Sequence, residues 1–170
     1  MFRKLTVSIA LATAMLACTL PGRSLADPAG KSDDLTGAWR GAVQFLSGAF
    51  AEVKDLELMY AFNAGGTMTE SSNYDAVPPV PPAYGVWKKI GAGTYQARYQ
   101  FFQSRTVAGA DELVKAGGWG PAGYGTISQT ITLSADGRSF DSQLHLELFG
   151  QDGKPVAGGG DATAKGTRIE

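Results

Sequence analysis

The stretch TISQTITLSADGRSFDSQLHLEL, residues 126–148, decides the fold class. Apolar side chains follow a period of two on both sides of a central turn, at Ile127, Ile131, Leu133, Phe140, Leu144, Leu146 and Leu148. This period is typical of β-strands with one buried face. The segment Ala135-Asp136-Gly137-Arg138 between the two runs has the composition of a tight hairpin turn. The stretch therefore predicts two antiparallel strands that lie side by side.

The same period continues on both sides of this hairpin. Predicted strands cover 37–46, 54–62, 67–73, 84–90, 94–104, 124–133, 139–149 and 155–169. Most are joined by short turns, so consecutive strands should be antiparallel neighbours. A meander of eight strands with one apolar face each either stays open or closes, and closure removes its exposed edges. We therefore predict an all-β, eight-stranded, antiparallel up-and-down barrel, with a β-sandwich as the alternative.

The remaining segments predict the loops of this barrel. Four prolines in residues 77–82 exclude strand pairing and favour a polyproline-like loop. One short helix is predicted over 107–115, and no helix follows the last strand. The two longest connections, 74–83 and 105–123, leave the same end of a meander, so together they should form the entrance to the barrel. The glycines at 158–160 predict a bulge in the last strand.

Composition indicates one ordinary globular domain. The chain has 170 residues, of which 44% are hydrophobic, and its net charge is -1. This apolar fraction is too high for a disordered chain. Acidic and basic residues are nearly balanced, whereas a nucleic-acid-binding protein typically has an excess of basic residues. The length fits a single core-forming domain.

The first residues predict export. Arg3 and Lys4 precede an apolar run that is shorter than the roughly 20 residues of a membrane span. Small residues at Ser24 and Ala26 suit signal peptidase, so we predict a signal peptide over 1–26, a flexible leader over 27–35 and the barrel domain over 36–170. The mature chain would be periplasmic or secreted, without a transmembrane span. Alternatively, Met15-Leu16-Ala17-Cys18 is a loose lipobox, and Cys18 would then carry a lipid anchor.

The two ends of the barrel domain carry short motifs of a known superfamily. Thr36-Gly37-Ala38-Trp39 begins the first strand and Gly166-Thr167-Arg168-Ile169 ends the last one. These motifs resemble the lipocalin and wider calycin pattern. The resemblance implies that Gly37 and Trp39 close the barrel floor and that Arg168 packs across it. Further segments, at 62–67, 85–87 and 133–137, look like those of uncharacterised secreted bacterial lipocalin-like proteins. The lipocalin C-terminal helix and disulfide have no counterpart here.

The sequence offers little for catalysis by metals or nucleophiles. His145 is the only histidine, so a zinc site built from several histidines is excluded. It alternates out of phase with the neighbouring leucines and should face solvent. Residues 118–123 match a dinucleotide-binding glycine pattern, but Pro121 lies inside it and a strand follows, so we interpret the segment as a flexible loop. We predict no metal site and no cofactor.

Aromatic side chains are the remaining candidates for a site. The predicted ligand-binding residues are Tyr60, Phe62, Trp87, Tyr95, Tyr99, Phe101 and Trp119. Most lie on apolar strand faces, where tyrosine hydroxyls would give an apolar cavity a few polar tips. The alternative is that these side chains fill the barrel.

Three functions are compatible with these features. The first is a secreted barrel that binds a small apolar or amphipathic ligand. The second is an envelope protein-interaction module that acts through its surface or its proline loop. The third is a cofactor-free barrel cyclase or isomerase, which would need an inward carboxylate beside a tyrosine. Glu70 and Glu147 are the strand carboxylates to examine for that role.

Overall fold

A computed structural model describes residues 34–75, 80–107, 109–111, 114 and 118–170. Its strands are β1 (Gly37–Phe45), β2 (Glu57–Phe62), β3 (Thr67–Ser72), β4 (Ala83–Gly91), β5 (Thr94–Thr106), β6 (Trp119–Leu133), β7 (Ser139–Gly150) and β8 (Pro155–Arg168). Consecutive strands pair antiparallel, and β1 also pairs with β8, so the sheet closes. The predicted eight-stranded up-and-down barrel is confirmed.

Several sequence predictions fall wholly or partly outside the described residues. These are the signal peptide, Cys18, most of the leader and the centre of the proline loop. Leu35, at the end of the predicted leader, is completely buried in the barrel core. Within the predicted helix 107–115, the described residues Ala110, Asp111 and Val114 are helical. In the described part of the chain, no helix has both the length and the apolar character to cross a membrane.

The sixth strand begins five residues earlier than the sequence predicted. Trp119 pairs with Thr106, and Gly123 pairs with Gln103, so the segment interpreted as a flexible glycine loop extends the β5–β6 hairpin. Gly123 has a φ of 138°, and a Cβ there would collide with the carbonyl oxygen of Phe149. Its glycine therefore permits a close approach between β6 and β7. The glycine-rich sequence predicted a loop, but the segment is a strand. A glycine occurs at this position because a side chain would collide with the neighbouring strand.

The bulge predicted at the three glycines of β8 is present. The pairing of β7 with β8 shifts between Leu146 and Leu148, opposite this segment. A side chain at Gly160 would collide with the backbone of Ser47, which follows β1. The glycines thus let the β1–β2 connection pass closely over β8 at one end of the barrel.

Burial alternates along much of the sheet, most regularly on β1, β2 and β7, with mainly apolar side chains inside. On β7, for example, Phe140, Ser142, Leu144, Leu146 and Leu148 are buried, while the residues that alternate with them are exposed. The inward faces of all eight strands form one hydrophobic core. Consequently, any internal site must be built from residues of the inward phase, and it matters how far along the barrel axis each one lies.

Candidate functional site

One end of the barrel is closed by the two end motifs. Trp39 is completely buried, and its indole N–H donates to the carbonyl oxygen of Leu35 at 2.9 Å. The guanidinium carbon of Arg168 lies 4.2 Å from the centre of the Trp39 ring. Arg168 also donates to the carbonyl oxygens of Asp34, Thr36 and Gly137. This arrangement joins the segment before β1, the end of β8 and the β6–β7 turn into a floor.

Above this floor, aromatic rings fill the lower part of the interior. Tyr60 stacks on Phe62 with ring centres 5.6 Å apart and meets Tyr99 edge-on at 6.4 Å. Trp87 contacts both Phe62, at 6.0 Å, and Tyr95, at 5.7 Å. The structure therefore brings five of the predicted ligand-binding residues together. They pack mainly against one another and against the floor.

An open cavity of about 280 Å³ occupies the opposite end. Its walls come from β1, β2, β3, β5, β6 and β7, and its rim comes from two loops. The lining residues are Val43, Phe45, Phe50, Val53, Leu56, Leu58, Glu70, Ser72, Tyr74, Asp75, Val80, Pro81, Phe101, Gln103, Ser104, Ile127, Leu144 and Leu146. Of the predicted ligand-binding residues, Phe101 lies in this wall. Trp119 is half-buried near the start of β6 and is not among the lining residues.

Two connections form the rim of the cavity. The β3–β4 connection, which the sequence placed at the entrance, contributes Tyr74, Asp75, Val80 and Pro81. The β1–β2 connection contributes a second set that the sequence analysis missed, because strand β2 was predicted to begin too early. Phe50 of this connection packs against the Phe45 ring at 5.3 Å. The sequence did contain a signal for this second set. Phe50, Val53 and Leu56 are apolar residues in a stretch that lacks a clear strand period.

Hydrogen bonds join these two connections to each other. The hydroxyl of Tyr74 donates to a carboxylate oxygen of Asp55 at 2.5 Å. The side-chain amide of Asn73 donates to the backbone oxygen of Asp55 at 2.7 Å, and its oxygen accepts from the backbone N–H of Glu57 at 2.9 Å. The two connections are therefore positioned as one rim and not as two independent loops.

Among the described residues, Glu70 is the one Asp, Glu, Lys, Arg or His side chain that is buried in the interior, where the uncharged polar residues Thr126, Gln129 and Ser142 are also buried. It lies between Met68 and Ser72 in the inward phase of β3, is only 6% exposed and faces Tyr60 across the β2–β3 ladder. Burial, followed by the nearby charge of Asp75, raises the pKa of Glu70 to about 8. The cause is that a carboxylate loses its hydration when it is enclosed by apolar walls. Near neutral pH, Glu70 is therefore mostly a neutral acid.

A chain of polar side chains lies beside Glu70. The hydroxyl of Tyr99 donates to Gln129 at 3.1 Å, and the Gln129 amide donates to the Ser142 hydroxyl at 2.9 Å. The Tyr60 hydroxyl lies near Tyr99 and Gln129 but has no well-formed hydrogen bond among the described residues. Burial and then the charge of Glu70 raise the pKa of Tyr60 far above its ordinary value. Glu70 thus gives the cavity lining a polar group with unused bonding capacity, and the buried Tyr60 hydroxyl is a second such group, on the strand that pairs with β3.

The other candidate groups lie outside the barrel. His145 is exposed, as predicted, and its Nδ1 lies 2.6 Å from Asp161. Glu147 is exposed in the outward phase of β7. No group of three or more metal-ligating side chains occurs in the described part of the chain. The cavity is therefore the place where the described residues concentrate unusual chemistry.

The chain matches no protein-family model and no curated protein. The assignment of a function accordingly depends on the geometry of the cavity.

Proposed function

We propose that this chain is a lipocalin-like barrel that binds one small apolar or amphipathic molecule in its cavity. The observation that carries the proposal is the open cavity of about 280 Å³, walled by aliphatic and aromatic side chains from six strands. An engineered cavity of about 150 Å³ accommodates benzene. By that comparison, this cavity has room for a ligand of about a dozen non-hydrogen atoms.

The distribution of aromatic residues supports this proposal. The alternative interpretation was that the aromatic side chains fill the barrel, and they do so only in its lower part. Above Tyr60 and Tyr99, smaller residues such as Val43, Leu58 and Ile127 form part of the walls, together with Phe101, and leave the cavity open. A closed floor with an open upper half is the arrangement that small barrels use to hold one ligand.

Filling the cavity tests the proposal. Gln103 points inward at the rim end of β5, whereas Gln96 is exposed on the outer face of the same strand. We expect Gln103→Trp to weaken the binding of prodan, a neutral dye whose emission shifts to the blue in apolar surroundings, by about tenfold or more. The physical reason is that the indole ring occupies the space of the dye. The measurement is a fluorescence titration.

The matched control for this titration is Gln96→Trp, which adds the same ring outside the barrel. It should bind prodan as the wild-type protein does. Equal binding by both variants and the wild-type protein would show that the dye lies elsewhere, and a wild-type protein that gives no blue shift would contradict the proposal.

A second candidate is a cofactor-free isomerase or cyclase. The observation that favours it is the pair of Tyr60 on β2 and Glu70 on β3, which lie directly opposite each other, with Glu70 in the cavity lining. An acid with a pKa near 8 is suited to proton transfer at neutral pH. Bound molecules that are recovered unchanged would favour binding, whereas conversion that is lost in Glu70→Gln would favour catalysis.

The protein-interaction alternative concerns the outer face of the barrel. Tyr84 and Val86 of β4 and Phe102 of β5 are all more than half exposed. Tyr84 follows the proline loop closely in sequence. These side chains support a contact surface in that region, although the cavity carries the stronger argument.

We further propose that the chain is exported and cleaved before Asp27. Its positive start, apolar run and Ser24-Leu25-Ala26 motif support this assignment. The mass of the protein recovered from a bacterial periplasm is expected to correspond to residues 27–170. A mass that begins at Cys18 with added acyl chains would instead establish the lipoprotein alternative.

A further inference from the structure

The base of the cavity contains a buried acidic side chain, Glu70, whose hydrogen-bonding capacity the surrounding residues do not satisfy. Glu70 is more than nine-tenths buried and lines the cavity, yet its carboxyl group forms no hydrogen bond or ion pair within the described part of the chain. A buried carboxyl group without partners is costly to the folded state. Such a group at the inner end of an open cavity is placed to meet a ligand.

The charges around Glu70 indicate the sign of that ligand. Asp75 is the second ionisable carboxylate in the lining, and the lining residues include no lysine, arginine or histidine. The charge of Glu70 in turn acts on two buried phenols, those of Tyr60, from β2, and Tyr99, from β5. The walls from β1, β6 and β7 are apolar. A cation is therefore complementary to this cavity, and an anion is repelled.

The position of Glu70 indicates the shape of the ligand. On β3 it lies farther from the rim than Ser72, and the rim loop with Asp75 follows that residue. Above it, Leu58, Phe101 and the aliphatic residues of β6 and β7 leave apolar walls. A molecule bound here would place a polar head at the base and an apolar body toward the opening.

We propose that the cavity binds an organic amine, with its ammonium group at Glu70 and an apolar body of about a dozen non-hydrogen atoms against the walls. This inference rests on the proposed function, since it assigns a ligand class to the same cavity. An ammonium group supplies the hydrogen-bond donors and the positive charge that the protein does not supply to Glu70.

Binding of an amine is expected to release a proton from Glu70, whereas binding of a neutral ligand is not. The amine enters as an ammonium ion, Glu70 loses its proton to the solvent, and the carboxylate and ammonium form a charge-assisted hydrogen bond. With a Glu70 pKa of about 8, nearly one proton is released per ligand at pH 7 and almost none at pH 9. Amine affinity should therefore rise about tenfold from pH 7 to pH 9.

Calorimetry on matched pairs of ligands tests this inference. We would titrate the protein with tryptamine against tryptophol and with hexylamine against hexanol, at pH 7 and pH 9, in buffers that differ in ionisation enthalpy. At pH 9 each amine is expected to bind about tenfold to a hundredfold more tightly than its alcohol. Glu70→Gln should lose this preference while still binding the alcohols. Glu147→Gln, an exposed carboxylate on β7, should keep it.

The possible results separate the two proposals. Equal affinity for amines and alcohols, or an amine preference that survives in Glu70→Gln, overturns the amine assignment. Amines that fail to bind to a protein that does bind prodan overturn it as well, and both results leave the binding function intact. If neither prodan nor any of the four ligands binds to the wild-type protein, the proposed function itself is overturned.

Discussion

Replacing Glu70 with Gln should remove most of the pH dependence of stability between about pH 4.5 and pH 8. The ordinary pKa of this carboxyl group is 4.5, whereas its pKa in the folded protein is about 8. Between these values the unfolded chain releases the proton and the folded protein retains it. Because the folded state binds more protons, the free energy of unfolding falls as the pH rises through this window.

The expected size of this effect follows from the shift. Each pKa unit corresponds to about 1.4 kcal/mol, so the wild-type protein should lose about 5 kcal/mol at most between pH 4.5 and pH 8. Water that enters the open cavity hydrates the carboxylate and reduces the loss. The Glu70→Gln variant cannot ionise at this position, so its stability relative to the wild-type protein should increase steadily across the same range.

Urea unfolding at a series of pH values measures this difference. The control is Glu147→Gln, since this carboxylate is exposed on the outer face of β7. Its unfolding free energy should follow the wild-type curve at every pH. Parallel curves for the wild-type protein and Glu70→Gln would mean that Glu70 is hydrated in solution, and the account of the cavity base given above would be wrong.

Replacing Trp39 with Ala should cost about 3–5 kcal/mol of stability, because the ring is completely buried. The substitution leaves a void beside Phe140, whose ring centre lies 5.3 Å from that of Trp39. It also removes the hydrogen bond to Leu35 and the ring beneath the guanidinium of Arg168. The free energy of unfolding of a typical domain is about 5–15 kcal/mol, so this single change is expected to remove a large part of the stability.

Thermal unfolding is a direct measurement of this loss. The expected decrease in melting temperature is about 10–20 °C. Trp119→Ala is the matched control, because Trp119 is half-buried near the start of β6, away from the floor. It should lower the melting temperature far less. Similar decreases for the two variants would contradict the role assigned to the floor.

The fold could be predicted from the sequence because the strand period and the hairpin turns agree along the chain. Residues such as Ile127 and Leu146 alternate with polar neighbours, and this alternation indicates which face of the strand is buried. The floor could also be predicted, since short motifs in the first and last strands indicated Trp39 and Arg168. The main departure in strand bounds was the start of β6, where glycines suggested a loop but serve the close pairing of strands.

The site was harder to predict for a geometric reason. Alternation tells whether a side chain points inward, but not how far along the barrel axis it lies. That height depends on the register between strands, which a single sequence does not display. Tyr95 and Phe101 share one face of β5, yet the first lies in the aromatic layer and the second in the cavity wall. From the sequence, Glu70 could be named only together with Glu147, as one of two strand carboxylates to examine, and the structure places the first inside and the second outside.

The pairing of β1 with β8 has a consequence for how the molecule forms. A guanidinium nitrogen of Arg168 binds the carbonyl oxygen of Thr36, 132 residues earlier in the chain. The barrel can therefore close only after β8 has been synthesised, and contacts between residues so far apart in sequence slow folding. Until then, β1 and the latest strand present free edges that can recruit other chains. Loss of the last residues of β8 should accordingly appear first as aggregation during synthesis.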